Sequence, residues 1–71
     1  MWVQCDSARE SNEYPLRFGV DDHNYGVEEI LDRWYGAKDS YFKVLADDGN
    51  IYILRHSPAS GAWSLESFRR S

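Results

Sequence analysis

Two histidines are the residues of this chain most suited to general acid–base chemistry. A histidine base activates a Ser or Cys nucleophile held within hydrogen-bond reach, and neither His23 nor His56 has such a residue at the spacing of a nucleophile motif. Both lie in turn or strand-end composition, which is typical of exposed loop histidines. They indicate no catalytic site.

Three pairs of adjacent acids are the next candidates: Asp21-Asp22, Glu28-Glu29 and Asp47-Asp48. Adjacent strand residues point to opposite faces, so these pairs do not form carboxylate dyads. Two of the pairs lie in expected turns, where Asp is favoured for local hydrogen bonds. The stretch Asp47-Asp48-Gly49-Asn50 lacks the spacing and the twelfth-position Glu of a calcium loop. We expect no enzyme.

The composition of the chain argues against several other functions. A single cysteine, Cys5, with two distant histidines does not make a zinc site, so no metal or cofactor is expected. A net charge of −4 argues against anionic membranes and, less strongly, against nucleic acid. No apolar stretch approaches the roughly 18 residues of a membrane span, and the start lacks signal-peptide features. We expect a cytoplasmic protein that binds no membrane.

Aromatic residues are the surplus that needs an explanation, because 11 of the 71 residues are Trp, Tyr or Phe. A chain this short has a small core, and most of these rings are expected to fill it. Those left at the surface would form a groove for a peptide or stacking platforms for single-stranded nucleic acid. The binding candidates are Trp34, Tyr35, Tyr41 and Tyr52.

The strongest local signal is a hairpin from Tyr41 to Arg55, because two β-prone runs flank an Asp-Gly turn. A two-residue turn at Asp48-Gly49 would pair Val44 with Ile53. A type I turn over Asp47-Asp48, with Gly49 left-handed, would pair Val44 with Tyr52. We favour the second register, which places on one face Phe42, Val44, Tyr52 and Leu54.

The other face of this hairpin is more apolar than a solvated face should be, since it carries Lys43, Leu45, Ile51 and Ile53. Such a surface is typically covered. The candidate covers are the N-terminal Trp2, a second copy of the chain, or a partner.

An earlier hairpin and a closing strand are also expected. Leu16, Phe18 and Val20 alternate before turn residues 21–24, which predicts that Val20 pairs with Tyr25. The stretch 61–68 predicts a closing strand that places Phe68 on one face and, on the other, Trp63, Leu65 and Ser67.

The segment Val27–Tyr35 fits two structures. Val27, Ile30, Leu31 and Trp34 recur at helical spacing, which on sequence alone slightly favours a short helix. A strand with a bulge at Glu28-Glu29 fits as well, and it turns Ile30 and Trp34 inward.

A resemblance bears on this choice. The blocks Val27-Glu28-Glu29-Ile30-Leu31-Asp32-Arg33-Trp34 and Tyr41-Phe42-Lys43-Val44, within Arg17 to Leu65, resemble short bacterial hypothetical cytoplasmic proteins of unknown function. The resemblance implies a β-rich, SH3-like barrel and favours the bulged strand. It carries over no functional residue.

These observations predict a mainly β protein, a small antiparallel meander or SH3-like barrel of about five strands. Residues 1–13 are expected to be a flexible lead-in and residues 14–71 a single domain. The expected function is a non-enzymatic protein-binding module, accessory or regulatory. One alternative is a single-stranded nucleic-acid-binding domain, which requires on one face Arg17, Arg33, Lys43 and Arg55. The other is a self-associating structural protein, a homodimer.

Overall fold

The computed structural model describes residues 1–6 and 14–69. Six antiparallel strands follow one another: β1 (Trp2–Asp6), β2 (Tyr14–Val20), β3 (His23–Tyr35), β4 (Ser40–Ala46), β5 (Ile51–Ser57) and β6 (Ala62–Arg69). Each strand pairs with the next, so the sheet is a meander, and it curls into a half-barrel without a helix in its described residues. The mainly β, antiparallel prediction is confirmed, with six strands rather than about five.

The additional strand is β1, which precedes the domain start that we expected at Tyr14. Residues 2–6, which belong to the expected lead-in of residues 1–13, form this strand, and lead-in residues 7–13 lie outside the described part. The Trp2 indole lies over Gly19 of β2, where a Cβ atom would overlap the ring. Val3 packs against the core beside β2, and together these contacts hold β1 on the sheet.

Strand β2 departs from the predicted alternation at Leu16. Gln4 pairs with Arg17 and Cys5 with Pro15, so Leu16 is the extra residue of a bulge. Pro15 is fully buried while Leu16 is 46% exposed. The prediction that Leu16 shares a face with Phe18 is therefore wrong, because a bulge shifts the side-chain alternation by one residue.

The register predicted for β2 and β3 is also wrong. Val20 pairs with His23 and Phe18 with Tyr25, so the turn has two residues rather than four. Asp21 adopts a left-handed conformation with φ of 55°, which Asp tolerates better than most residues. The shorter turn brings the rings of Phe18 and Tyr25 within 5.2 Å of each other.

Strand β3 settles the choice at Val27–Tyr35 in favour of a bulged strand. Its 13 residues pair with β2 at one end and with β4 along the rest. A helix of nine residues would be marginal by itself, whereas β4 offers this segment a neighbour along most of its length.

Two bulges interrupt β3, one at Glu28 as predicted and one at Leu31. The first leaves Ile30 packed against the core, as expected. The second shifts the alternation again, so that Trp34 pairs with Tyr41 and Arg33 with Phe42. The prediction that Trp34 points inward is wrong.

The β4–β5 hairpin has the predicted register, with Val44 opposite Tyr52 and Phe42 opposite Leu54. The Gly49 amide donates to the Ala46 carbonyl at 3.0 Å, and the Ala46 amide donates to the Asn50 carbonyl at 2.9 Å. Gly49 has φ of 85°. This geometry is a type I turn followed by a left-handed glycine.

Strand β6 closes the sheet beside β5, but its faces differ from the prediction. Ser67 pairs with Ile53 and Leu65 with Leu54, so Glu66 is an extra residue. This bulge places Phe68, which pairs with Tyr52, on the same face as Leu65. Ser67 lies on the opposite face.

The core lies on one side of β3–β6, which we call the inner face. Its buried residues form one hydrophobic cluster: Phe18, Phe42, Val44, Ala46, Tyr52 and Leu54. The four hairpin residues predicted for the core are all among them. The opposite side of the same four strands is the outer face.

Candidate functional site

The outer face is organised in rows that cross the four strands. Cross-strand pairing places in one row Asp32 of β3, Lys43 of β4, Ile53 of β5 and Ser67 of β6. Residues paired across a sheet project from the same face. This central row is thus a continuous strip of side chains, about 14 Å long at the usual strand spacing.

Two further rows flank the central one. The first contains Trp34, Tyr41, Arg55 and Ser64; the second contains Glu29, Leu45, Ile51 and Arg69. The first is thus aromatic toward β3, and the second is apolar in its middle with opposite charges at its ends.

A shallow groove of about 320 Å³ follows the central row. Its lining comprises the whole central row together with residues from both flanking rows: Asp32, Trp34, Lys43, Ile51, Ile53, Ser67 and Arg69. Ile51 and Ile53 form an apolar floor on β5, with Trp34 at the β3 end and Arg69 at the β6 end. We call this feature the outer groove.

The wall at the β3 end is a stacked pair of rings. Trp34 and Tyr41 have centroids 5.5 Å apart and planes only 5° from parallel. Trp34 remains 38% exposed. Because Tyr41 supports one face of the indole, Trp34 is held in place while still presenting apolar surface to a ligand.

The lining of the outer groove has a net charge opposite in sign to that of the whole chain. Two cations and one acid line it, which gives +1 in a protein of net charge −4. Lys43 lies directly across from Asp32. Arg69 has as neighbours Ile51 across the strands and Ser67 along its own strand. Neither Lys43 nor Arg69 forms an ion pair within residues 1–6 and 14–69.

The remaining outer-face arginine is already paired. Arg55 approaches Glu66 at 3.8 Å and donates from Nε to the Ser64 hydroxyl at 3.2 Å. The bulge at Glu66 adds a residue to β6 beside Arg55. Arg69 is therefore the cation of the outer face whose charge is least compensated.

The structure brings together two of the four predicted binding residues. Trp34 and Tyr41 contact each other on the outer face. Tyr35 pairs with Ser40, on the side of the sheet that carries the inner face, and it is 69% exposed. The Arg33 guanidinium lies 6.0 Å from the Tyr35 ring. Tyr52 is 4% exposed and belongs to the core.

Tyr52 does not line the outer groove and instead forms a hydrogen bond within the fold. Its hydroxyl donates to the Asp48 carboxylate at 2.6 Å. Burial, together with this bond, raises the pKa of Tyr52 well above its usual value. Burial also acts to raise the pKa of Asp48, but hydrogen bonds from Tyr52 and from Asn50 outweigh it and hold that pKa below the ordinary 3.8.

The sequence pattern predicts an unusually apolar surface around Lys43, Ile51 and Ile53, but it does not indicate Asp32 or Arg69. The bulges at Leu31 and Glu66 decide which side of the sheet these two charges occupy. No residue type in either segment is specific for a bulge, so the sequence offered no signal for them.

A second concavity of about 280 Å³ lies beside β1 and β2. It is lined by Trp2, Arg17, Asn24, Tyr25, Gly26 and Asp47. Trp2 therefore covers Gly19 and borders this concavity, and it does not cover the outer face of the β4–β5 hairpin.

The four cations named for nucleic-acid binding do not share one surface. Arg17 lies beside Trp2 at the second concavity, and Arg33 is on the inner-face register opposite Phe42. Lys43 and Arg55 are on the outer face, where Asp32 and Glu66 lie beside them.

Both histidines belong to strands rather than loops. His23 begins β3, and His56 lies in β5 with its ring 4.5 Å from that of Trp63. Within the described residues there is no group of three His, Cys, Asp or Glu side chains able to hold a metal ion. The same part of the chain contains no helix long and apolar enough to cross a membrane.

Comparison with protein-family models, with curated proteins and with solved structures finds no match for this chain.

Proposed function

We propose that this protein is a small non-enzymatic module that binds another protein through its outer groove. The observation that supports the proposal is an apolar floor, Ile51 and Ile53, on the solvent side of the sheet. A wholly solvated β-face alternates to polar residues at such positions. Exposed apolar surface next to an ordered aromatic ring is typical of protein-interaction sites.

Nucleic acid is the less favoured ligand because binding its backbone requires clustered cations. Here Lys43 faces Asp32 and Arg55 is paired with Glu66. An accessory or regulatory role, an SH3-like architecture and a bacterial, cytoplasmic setting are further parts of the proposal. The single cysteine of the sequence suits a reducing compartment.

Selection from a displayed library of random peptides tests the proposal. Peptides enriched on the native protein should bind the Ile53→Ser variant at least about tenfold more weakly, because the substitution removes most of a buried apolar contact. Leu31→Ser is the matched control, since Leu31 is an exposed aliphatic residue of β3 that does not line the groove.

The expected result is binding that Ile53→Ser weakens and Leu31→Ser preserves. Enrichment of no peptide, or of peptides that bind both variants equally, would contradict the proposal. Circular dichroism of both variants confirms that each remains folded.

A further inference from the structure

The outer groove also specifies what kind of segment it binds. This inference rests on the proposed function and concerns the chemistry of the ligand and its placement across the strands. We infer that the groove takes an extended segment that crosses the strands, with two apolar side chains toward β3 and a carboxylate that binds Arg69 at the β6 end.

The length of the groove fixes the spacing. The central row spans about 14 Å from β3 to β6. In an extended peptide, residues i and i+4 are about 13 Å apart, and residues i, i+2 and i+4 point to the same side. A five-residue segment therefore fits the row, and its first, third and fifth side chains face the sheet. Trp34 and Arg69 belong to the two flanking rows, but both side chains line the groove that follows the central row.

The lining of the groove fixes the order of these three side chains. At the β3 end, the exposed face of Trp34 favours an apolar or aromatic first side chain. In the middle, the floor of Ile51 and Ile53 favours an apolar third side chain. At the β6 end, Arg69 favours an acidic fifth side chain.

The electrostatics select an acid at that end. Arg69 forms no ion pair in the described part of the chain, and its neighbours Ile51 and Ser67 carry no charge. Lys43 forms no ion pair in the described residues either, but it lies directly across from Asp32, whose negative charge weakens the attraction of Lys43 for an anion. From β3 to β6, the three side chains of the bound segment that face the sheet are therefore apolar, apolar and acidic, and one residue separates each from the next.

Three blocked pentapeptides test this pattern. Each has an acetylated N-terminus, an amidated C-terminus and the sequence Phe-Ser-Leu-Ser followed by Glu, Gln or Lys. Titration into the ¹⁵N-labelled protein at low salt should give binding that weakens in the order Glu, Gln, Lys. An exposed ion pair predicts about a threefold to fivefold difference between the Glu and Lys peptides.

Charge reversal on the protein provides the cross-check. Arg69→Glu should abolish or invert the preference for the Glu peptide. Arg17→Glu is the matched control, because it changes the net charge equally on an exposed arginine outside the outer groove. It should leave the preference intact.

Equal affinity for the three peptides in the groove would overturn the inference and leave the proposed function standing. An equal effect of Arg69→Glu and Arg17→Glu would overturn it too. If no groove resonance shifts with any of these peptides and the library selection also fails, both the inference and the proposed function are contradicted. Concentration-dependent shifts at the groove without peptide would identify a second copy as the occupant and overturn the inference.

Discussion

The two faces of the β4–β5 hairpin carry similar residues in different environments. On the inner face, Val44 and Leu54 are fully buried and Phe42 is 5% exposed. On the outer face, Leu45, Ile51 and Ile53 are only half-buried, and the two isoleucines line an open groove. Aliphatic side chains at neighbouring positions of one strand therefore have different roles. Those on the inner face stabilise the fold, and those on the outer face, as proposed, bind a partner.

β-propensity and hydrophobicity therefore do not distinguish core residues from residues of a binding surface. What separates them is whether another part of the chain covers them. Strands β1 and β2 and the first part of β3 curl over the inner face and place Phe18 within 5.1 Å of Tyr52. Nothing in the described residues covers Ile53 in the same way.

Adjacent substitutions on opposite faces should give the largest contrast. Leu54→Ala should lower the free energy of unfolding by about 2–5 kcal/mol, because it leaves a cavity in a closed core. That is comparable to the roughly 3–5 kcal/mol expected for a domain of this size. Ile53→Ala should cost about 1 kcal/mol, since the site is half-open.

Urea unfolding followed by tryptophan fluorescence and circular dichroism measures both variants. Equal losses of stability would mean that the two faces are equally covered and would contradict the difference between them.

Gly49 allows the turn that sets the register of the β4–β5 hairpin and, with it, the face on which each side chain lies. Gly49→Ala should lower stability by about 1–2 kcal/mol, because a Cβ atom disfavours φ of 85°. Gly49→Asn should cost less, since Asn adopts the left-handed region more readily. Equal losses in urea titrations of the two variants would show that backbone strain at Gly49 is not the cause.

The bond between Tyr52 and Asp48 links the inner face to the turn. Tyr52→Phe should cost about 1 kcal/mol near neutral pH, where an exposed carboxylate accepts the hydroxyl. The pKa of Asp48 is lowered on folding. Its contribution is therefore present above the unfolded pKa and is lost as the pH falls through the folded pKa, below about 4.

Tyr52 shows the opposite dependence, because its pKa is raised on folding. Its stabilisation is complete below the unfolded pKa of about 10 and decreases above it. Urea titrations from pH 3 to 11 should show the native protein converging on Tyr52→Phe at the acidic end. A difference between them that is independent of pH would contradict the role of Asp48.

Much of the fold was predictable from local pattern. The Asp47-Asp48-Gly49 turn admits few registers, and burying one apolar face selects among them, so the core of Phe42, Val44, Tyr52 and Leu54 follows from the sequence. The excess apolar character of the outer face was visible in the same way.

The facing of the remaining side chains depends on how the strands pair. The bulges at Leu16, Leu31 and Glu66 are defined by how each strand pairs with its neighbour in the sheet, and each reverses the faces of the residues beyond it. The segment Val27–Tyr35 has the spacing of a helix, but pairing with β4 makes it a strand. Local patterns thus specify a β-domain with an aromatic core, while pairing between neighbouring strands places Trp34 and Arg69 in the same outer groove, because a one-residue shift moves a side chain to the other face.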